Sequence, residues 1–259
     1  MAFASVPNGN NPKNEARVNE FLENKTKSIA KVYLYMGIGL AVSAVVSILV
    51  GALFAGWFTN WGRIDYDHIS DTAFFTYIGV MVASFIIMLV DSFVIARRAY
   101  SDTKSLWGPY ILYTVVMGVF LSTFLIAGID FYTLGEAFGI SAIAFVVMGL
   151  IGYYSKANLN IVGMIASALL FMLILGSVFW VGLYLISPTA FYIYDVVVSI
   201  AVMVFLLIMI AVDTYNIKRI LDRSSGKNIM LYCAFTMYSD FIMVFIRVLY
   251  ILASLKKNN

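Results

Sequence analysis

The sequence predicts an all-α polytopic membrane protein with seven transmembrane helices, and two observations predict it. Hydrophobic residues fill 62% of the 259 positions and charged residues only 12%, against about 25% charged in a soluble domain. From about Ile29 to the C-terminus there is room for about seven apolar helices of about 20 residues, the length that crosses a bilayer's hydrocarbon. A water-soluble fold is excluded. The net charge of +3 comes from 17 basic residues against 14 acidic ones, and most of the basic residues lie in connecting segments rather than one patch, so no nucleic-acid partner is expected. The one cysteine, Cys233, sits in an apolar run; it permits no internal disulfide and reads as a space-filling residue.

Residues 1–27 form a polar cytoplasmic segment with Pro7 and Pro12 and no apolar core, so it reads as a mobile tail and not as a cleavable signal peptide. The transmembrane domain follows over 28–255. Its spans are expected near 29–56, 73–96, 107–128, 135–155, 161–186, 190–217 and 229–253, and residues 256–259 are left as a short tail. The fifth and sixth spans lie in one long uncharged stretch that Ser187-Pro188 divides. The residue before a proline is pushed out of helical geometry and proline suits a first helical turn, so one helix ends near Ile186 and the next begins near Thr189. The seventh span is as apolar as the others except for Asp240 and Arg247. A six-span chain with a re-entrant seventh segment is the alternative.

Lysine and arginine in short loops set orientation. One side receives Lys13, Arg17, Lys25, Lys27 and Lys31, then Arg97, Arg98 and Lys104, then Lys156, then Lys218, Arg219, Arg223 and Lys227. The other receives Arg63 in its first loop and, at the end of the chain, Lys256 and Lys257. The N-terminus is therefore expected in the cytoplasm and the C-terminus outside.

Function is expected where charge enters the apolar spans, because an ionised group at a helix centre costs about 2.5–3.5 kcal/mol even on the mildest scale. Asp91, Asp213, Asp240 and Arg247 qualify. The sixth and seventh spans are antiparallel and joined by a short basic turn around Arg223–Lys227. Asp213 and Asp240 each lie about 10–13 residues from that turn, about 15–20 Å of helix, so they can meet. Two carboxylates facing each other in a low-dielectric site do not both ionise cheaply, and they are expected to share a proton and titrate as one unit, a proton sensor. The same pair offers hard oxygen ligands suited to Ca²⁺, whereas one histidine and a buried cysteine leave nothing for zinc. The competing reading makes each aspartate a polar anchor satisfied by hydroxyls on neighbouring helices.

The motifs along the second half carry a resemblance. Leu134-Gly135-Glu136-Ala137-Phe138-Gly139 and Gly152-Tyr153-Tyr154-Ser155-Lys156-Ala157-Asn158-Leu159-Asn160 are followed by Asp213-Thr214-Tyr215-Asn216-Ile217 and Tyr238-Ser239-Asp240-Phe241-Ile242-Met243-Val244-Phe245. In this order they resemble the Bax inhibitor-1 (transmembrane Bax inhibitor motif) family of small calcium-leak membrane proteins, in its bacterial branch. The likeness runs from about Gly108 to Leu252, while the first two spans match in hydropathy only. It departs from the family pattern at Ser155, Asn158, Val212, Tyr215 and Met243. The resemblance implies a seven-helix bundle with a central C-terminal helix, and a pH-dependent calcium leak governed by the two aspartates. It also implies a second-span arginine latching the first aspartate, for which Arg97 and Arg98 are the candidates. Their other reading is a snorkelling anchor.

Other polar positions are accessory. Asp195 and Asp213 are about five helical turns apart on one face, which suggests a cation stripe, although Asp195 beside Tyr192 and Tyr194 reads better as an interfacial residue at a helix start. Arg247 follows Asp240 by about two turns on nearly the same face and suggests a gate pair or a snorkelling anchor. Asp91 reads equally as a gate residue or as a helix-end acid paired with Arg97 or Arg98. Asp65, Asp67 and Asp71 with His68 read as a solvated outer loop, and Gly149, Gly152 and Gly163 as close helix contacts. No Gly-x-Gly-Asp loop and no His-Glu-x-x-His are present, so no enzyme is expected. Ca²⁺ is the expected transported ion, H⁺ the regulator and membrane lipid the surroundings; no cofactor is expected, and the protein is expected to be a monomer of a bacterial plasma membrane. The alternative function is a non-conducting regulator that binds a membrane protease or a cell-death partner.

Overall fold

A computed structural model describes the backbone of residues 12–58, 71–101, 104–186, 188–224 and 226–257. Side chains are described over most of these, but not at 12–22, 24–25, 55–58, 71–74, 173–174, 176–186 and 188–196. The Asp65, His68 and Asp67 loop, with the Asp71 and Asp195 side chains and Ser187, therefore lies outside the described residues.

Seven helices follow one another: α1 (Pro12–Phe58), α2 (Asp71–Arg98), α3 (Trp107–Ile126), α4 (Phe131–Tyr154), α5 (Leu159–Ile186), α6 (Pro188–Arg223) and α7 (Lys227–Lys257). Among the described residues there is no strand, and six helices are long and apolar enough to cross a membrane. The first helix corrects the expected mobile tail, since α1 already begins at Pro12. The reason is local: proline suits the first helical position, the following residues include many helix formers, and Glu23 pairs with Lys27 at 2.7 Å across one turn, the favourable Glu-before-Lys spacing. The break between the fifth and sixth spans falls as expected, with α5 ending at Ile186 and Pro188 opening α6.

The last helix is the centre of the bundle. α7 packs against α1, α2, α3, α4 and α6, and 56% of its apolar window is buried, against 22% in α1, α2 and α4. It also runs unbroken from one end of the bundle to the other, about 46 Å at 1.5 Å per residue. At its start, the Asn228 side chain donates to the carbonyls of Ser101 (2.6 Å) and Lys104 (2.8 Å) and accepts from the Leu106 N–H (3.2 Å). At its end, Lys256 donates to Thr133 Oγ1 (2.7 Å) and lies 3.3 Å from Glu136, beside the start of α4. A continuous helix tied at both ends is not a re-entrant hairpin.

The outward faces stay apolar, as at Phe93, Ile143 and Phe171, so the bundle is apolar on both sides of its helices. With lipid outside, close approach of the helices has to come from small residues and shape rather than from expelling water. Glycines supply it. A Cβ on Gly118 of α3 would lie 2.7 Å from the Ser43 carbonyl oxygen of α1, and one on Gly163 of α5 would lie 2.9 Å from the Val212 side chain of α6. Polar groups then join the packed helices: Tyr238 of α7 and Ser43 of α1 share a 2.5 Å hydrogen bond, and Ser43 also reaches the Thr114 carbonyl of α3 at 2.7 Å.

Candidate functional site

Asp213 lies on α6 about four turns after Val197, in a segment pressed between two other helices. Ala211 and Val212 are buried against Gly152 of α4 and Gly163 of α5, and Gly149 faces Thr214. With those neighbours fixing the rotation of α6, Asp213 is turned toward α7. There its carboxyl group and that of Asp240 bear on each other. A hydrogen bond between two carboxyls requires a proton on one of them. The second oxygen of Asp240, Oδ2, is buried without a partner.

A cavity of about 410 Å³ opens beside Asp213, lined by Asn160, Asn216, Arg219, Arg223, Tyr232 and Thr236 among others. Its lining extends toward the α6–α7 turn, where the two arginines place positive charge. Among the described residues, no three His, Cys, Asp or Glu side chains gather to hold a metal ion. The carboxyl, amide and hydroxyl groups here are oxygen ligands of the kind that Ca²⁺ takes, which needs six to eight of them.

The remaining charged positions lie as follows. Asp91 on α2 is 5% exposed and so buried in the bundle, and the charge that bears on it is that of Arg98, two turns further along the same helix. Arg98 is half-buried and Arg97 exposed. Neither is among the groups that bear on Asp213. The Arg247 guanidinium lies over the Tyr250 ring, 5.5 Å from the centroid, and its Nε is buried without a partner. Cys233 is fully buried.

Several residues that shape the site escaped the sequence reading. Asn228 had a weak signal, a lone amide at the edge of the last apolar run. Lys218 donates to the Tyr153 carbonyl at 2.9 Å and lies over the Tyr153 ring, so it meets the free carbonyls and the negative end of α4, where a cation is favoured. Asp130 caps the other end of α4, accepting from the Thr133 N–H at 3.0 Å and the Thr133 hydroxyl at 2.5 Å. These donors hold its carboxyl below the ordinary carboxylate range.

A family model described as Inhibitor of apoptosis-promoting Bax1 matches residues 25–258. The chain belongs to the Bax inhibitor-1 family. The match takes in the first two helices as well, where the motifs were silent, and both aspartates of the buried pair. No curated protein and no solved structure matches the chain.

Proposed function

We propose that this Bax inhibitor-1 family protein is a pH-sensitive calcium leak channel, gated by the proton shared between Asp213 and Asp240, and that it does no catalytic chemistry. The observation that carries the reading is the pairing of the Asp213 and Asp240 carboxyls between α6 and α7, with Asp213 lining a polar cavity. While the proton is present, the pair joins the two helices and offers a cation little negative charge. Once it leaves, two carboxylates repel in a low-dielectric site, which loosens the α6–α7 contact and creates a site for a divalent cation. Cation entry and proton loss therefore favour each other.

The protein is placed, as part of the same proposal, in a bacterial plasma membrane with the N-terminus in the cytoplasm and the C-terminus outside. The basic ends of α2 and α6 and the start of α7 support this orientation, since they share one end of the bundle, and positive charge marks the cytoplasmic side. Purified protein in calcium-loaded liposomes, assayed across acidic to alkaline pH, tests the function. A leak whose rate changes with pH is expected, and liposomes indistinguishable from protein-free ones at every pH would overturn it.

A further inference from the structure

At the basic end of the bundle a cavity of about 600 Å³ opens between the α2–α3 connection, the last turn of α6 and the start of α7. Its size falls within the range of small-molecule sites, about 300–1,000 Å³. Its walls are tied together. Asn228 at the start of α7 bonds the carbonyls of Ser101 and Lys104 and the Leu106 N–H, which holds the α2–α3 connection against α7. Trp107 in the wall is held by edge-to-face contacts with Tyr35 (5.0 Å) and Tyr110 (6.3 Å). Lys104, Arg223 and Lys227 line the cavity, one from each of the three segments. Among the described residues none of these three forms an ion pair, and no acidic side chain lines the cavity; Asp222, next to Arg223 in the chain, is outside the lining. Charges of one sign around a concave site focus its potential and draw in an ion of the other sign. The hydroxyls of Ser105 and Ser224 add hydrogen-bond donors.

We propose that this cavity binds a phosphate group at the level of the lipid headgroups. A phosphate is charged and rich in acceptor oxygens, so it matches two lysines and an arginine that reach one space from separate segments. The depth follows from the aromatic residues of the wall. Tyr100 is 70% exposed and Trp107 half-buried, and rings of this amphipathic kind gather where hydrocarbon gives way to headgroups. Basic pockets between membrane helices hold anionic headgroups by the same chemistry. Phosphate has two sources at that depth, the headgroup of an anionic lipid and free phosphate from solution. The cavity is separate from Asp213, which does not line it, and binding here requires no calcium conduction.

Two arms test this on the full-length protein in calcium-free buffer. In the first, protein from nanodiscs of phosphatidylcholine with a minor share of phosphatidylglycerol is examined by native mass spectrometry for the lipid it retains. In the second, lipid-free protein in detergent is titrated calorimetrically with inorganic phosphate. The variants are Lys104→Gln and Lys227→Gln, both exposed positions whose exchange leaves the lining of the Asp213 cavity as it is. The control is Lys156→Gln, which removes an exposed charge outside the cavity, from the connection that follows α4. Preferential retention of phosphatidylglycerol, weakened about fivefold by each cavity variant and unchanged by the control, supports the site with a lipid as its source. Binding of inorganic phosphate with the same pattern of loss, and no lipid preference, supports it with solution as the source. Binding in neither arm overturns the proposal. So does a loss in Lys156→Gln as large as in the cavity variants, because attraction to the basic surface as a whole then accounts for the binding.

Discussion

Gly152 and Ala211 set the separation of α4 and α6: a Cβ added to Gly152 would overlap the carbonyl oxygen of Ala211, two residues before Asp213. The obstacle is backbone, so no rotamer change relieves it. The rotation of α6 that turns Asp213 toward α7 thus depends on the missing side chain of a residue on another helix.

Gly152→Ala is therefore expected to lower stability by about 1–3 kcal/mol, the usual cost of overpacking. Gly139→Ala on the same helix meets nothing within 4 Å and is expected to be neutral or to stabilise by about 0.5–1 kcal/mol through helix propensity. Thermal melting of the two variants in one detergent checks the contrast, which a general sensitivity of α4 to substitution would not produce.

The aspartate pair predicts non-additivity. Asp213→Asn and Asp240→Asn are each expected to abolish the pH response of calcium flux while leaving the protein folded, and the double variant is expected to look like either single one. Flux against pH for all three, with melting temperatures as a folding control, is the measurement. Unshifted pH profiles in both single variants would leave the aspartates as anchors of the bundle.

Asn228→Ala removes three hydrogen bonds that tie the α2–α3 connection to the start of α7. The expected cost is about 1–2 kcal/mol. Hydrogen exchange should quicken at Ser101 and Leu106 while the middle of α7 keeps its protection. Uniform loss of protection along α7 would contradict this local role.

Asp130 gives the pH dependence of the α4 cap. Its carboxyl is held below the ordinary range by the Thr133 hydroxyl and N–H, so the folded state binds its proton less readily than the unfolded chain. A depressed folded-state value contributes stability that is present above the unfolded value of about 3.9 and is lost as pH falls through the folded one. The stability difference between the native protein and Asp130→Asn should therefore be constant near neutrality and shrink below about pH 4. A difference that persisted unchanged into strong acid would show that the charge is irrelevant to the cap.

Orientation is tested by labelling. In a cysteine-free background, a cysteine at Arg223 is expected to resist an impermeant reagent applied to intact cells, and one placed after Lys257 is expected to react. Reaction at Arg223 would reverse the proposed orientation.

By itself the sequence determined the membrane class, the order and approximate bounds of the helices, the break at Pro188 and the matching depth of Asp213 and Asp240. All of these follow from composition, from local spacing, or from equal distances along two helices joined by a short turn. It did not determine which face each helix turns inward, because helices apolar all round carry no polar stripe to reveal it. That Asp91 is buried in the bundle and that Arg247 lies over Tyr250 could thus not be read from it. Only the tertiary structure decided those rotations, through contacts between residues far apart in sequence: Gly152 with Ala211, Gly163 with Val212, Ser43 with Tyr238 and Asn228 with the α2–α3 connection. In lipid, where burial outside the bundle costs an apolar side chain nothing, such close backbone approaches and polar ties fix which residues face the centre.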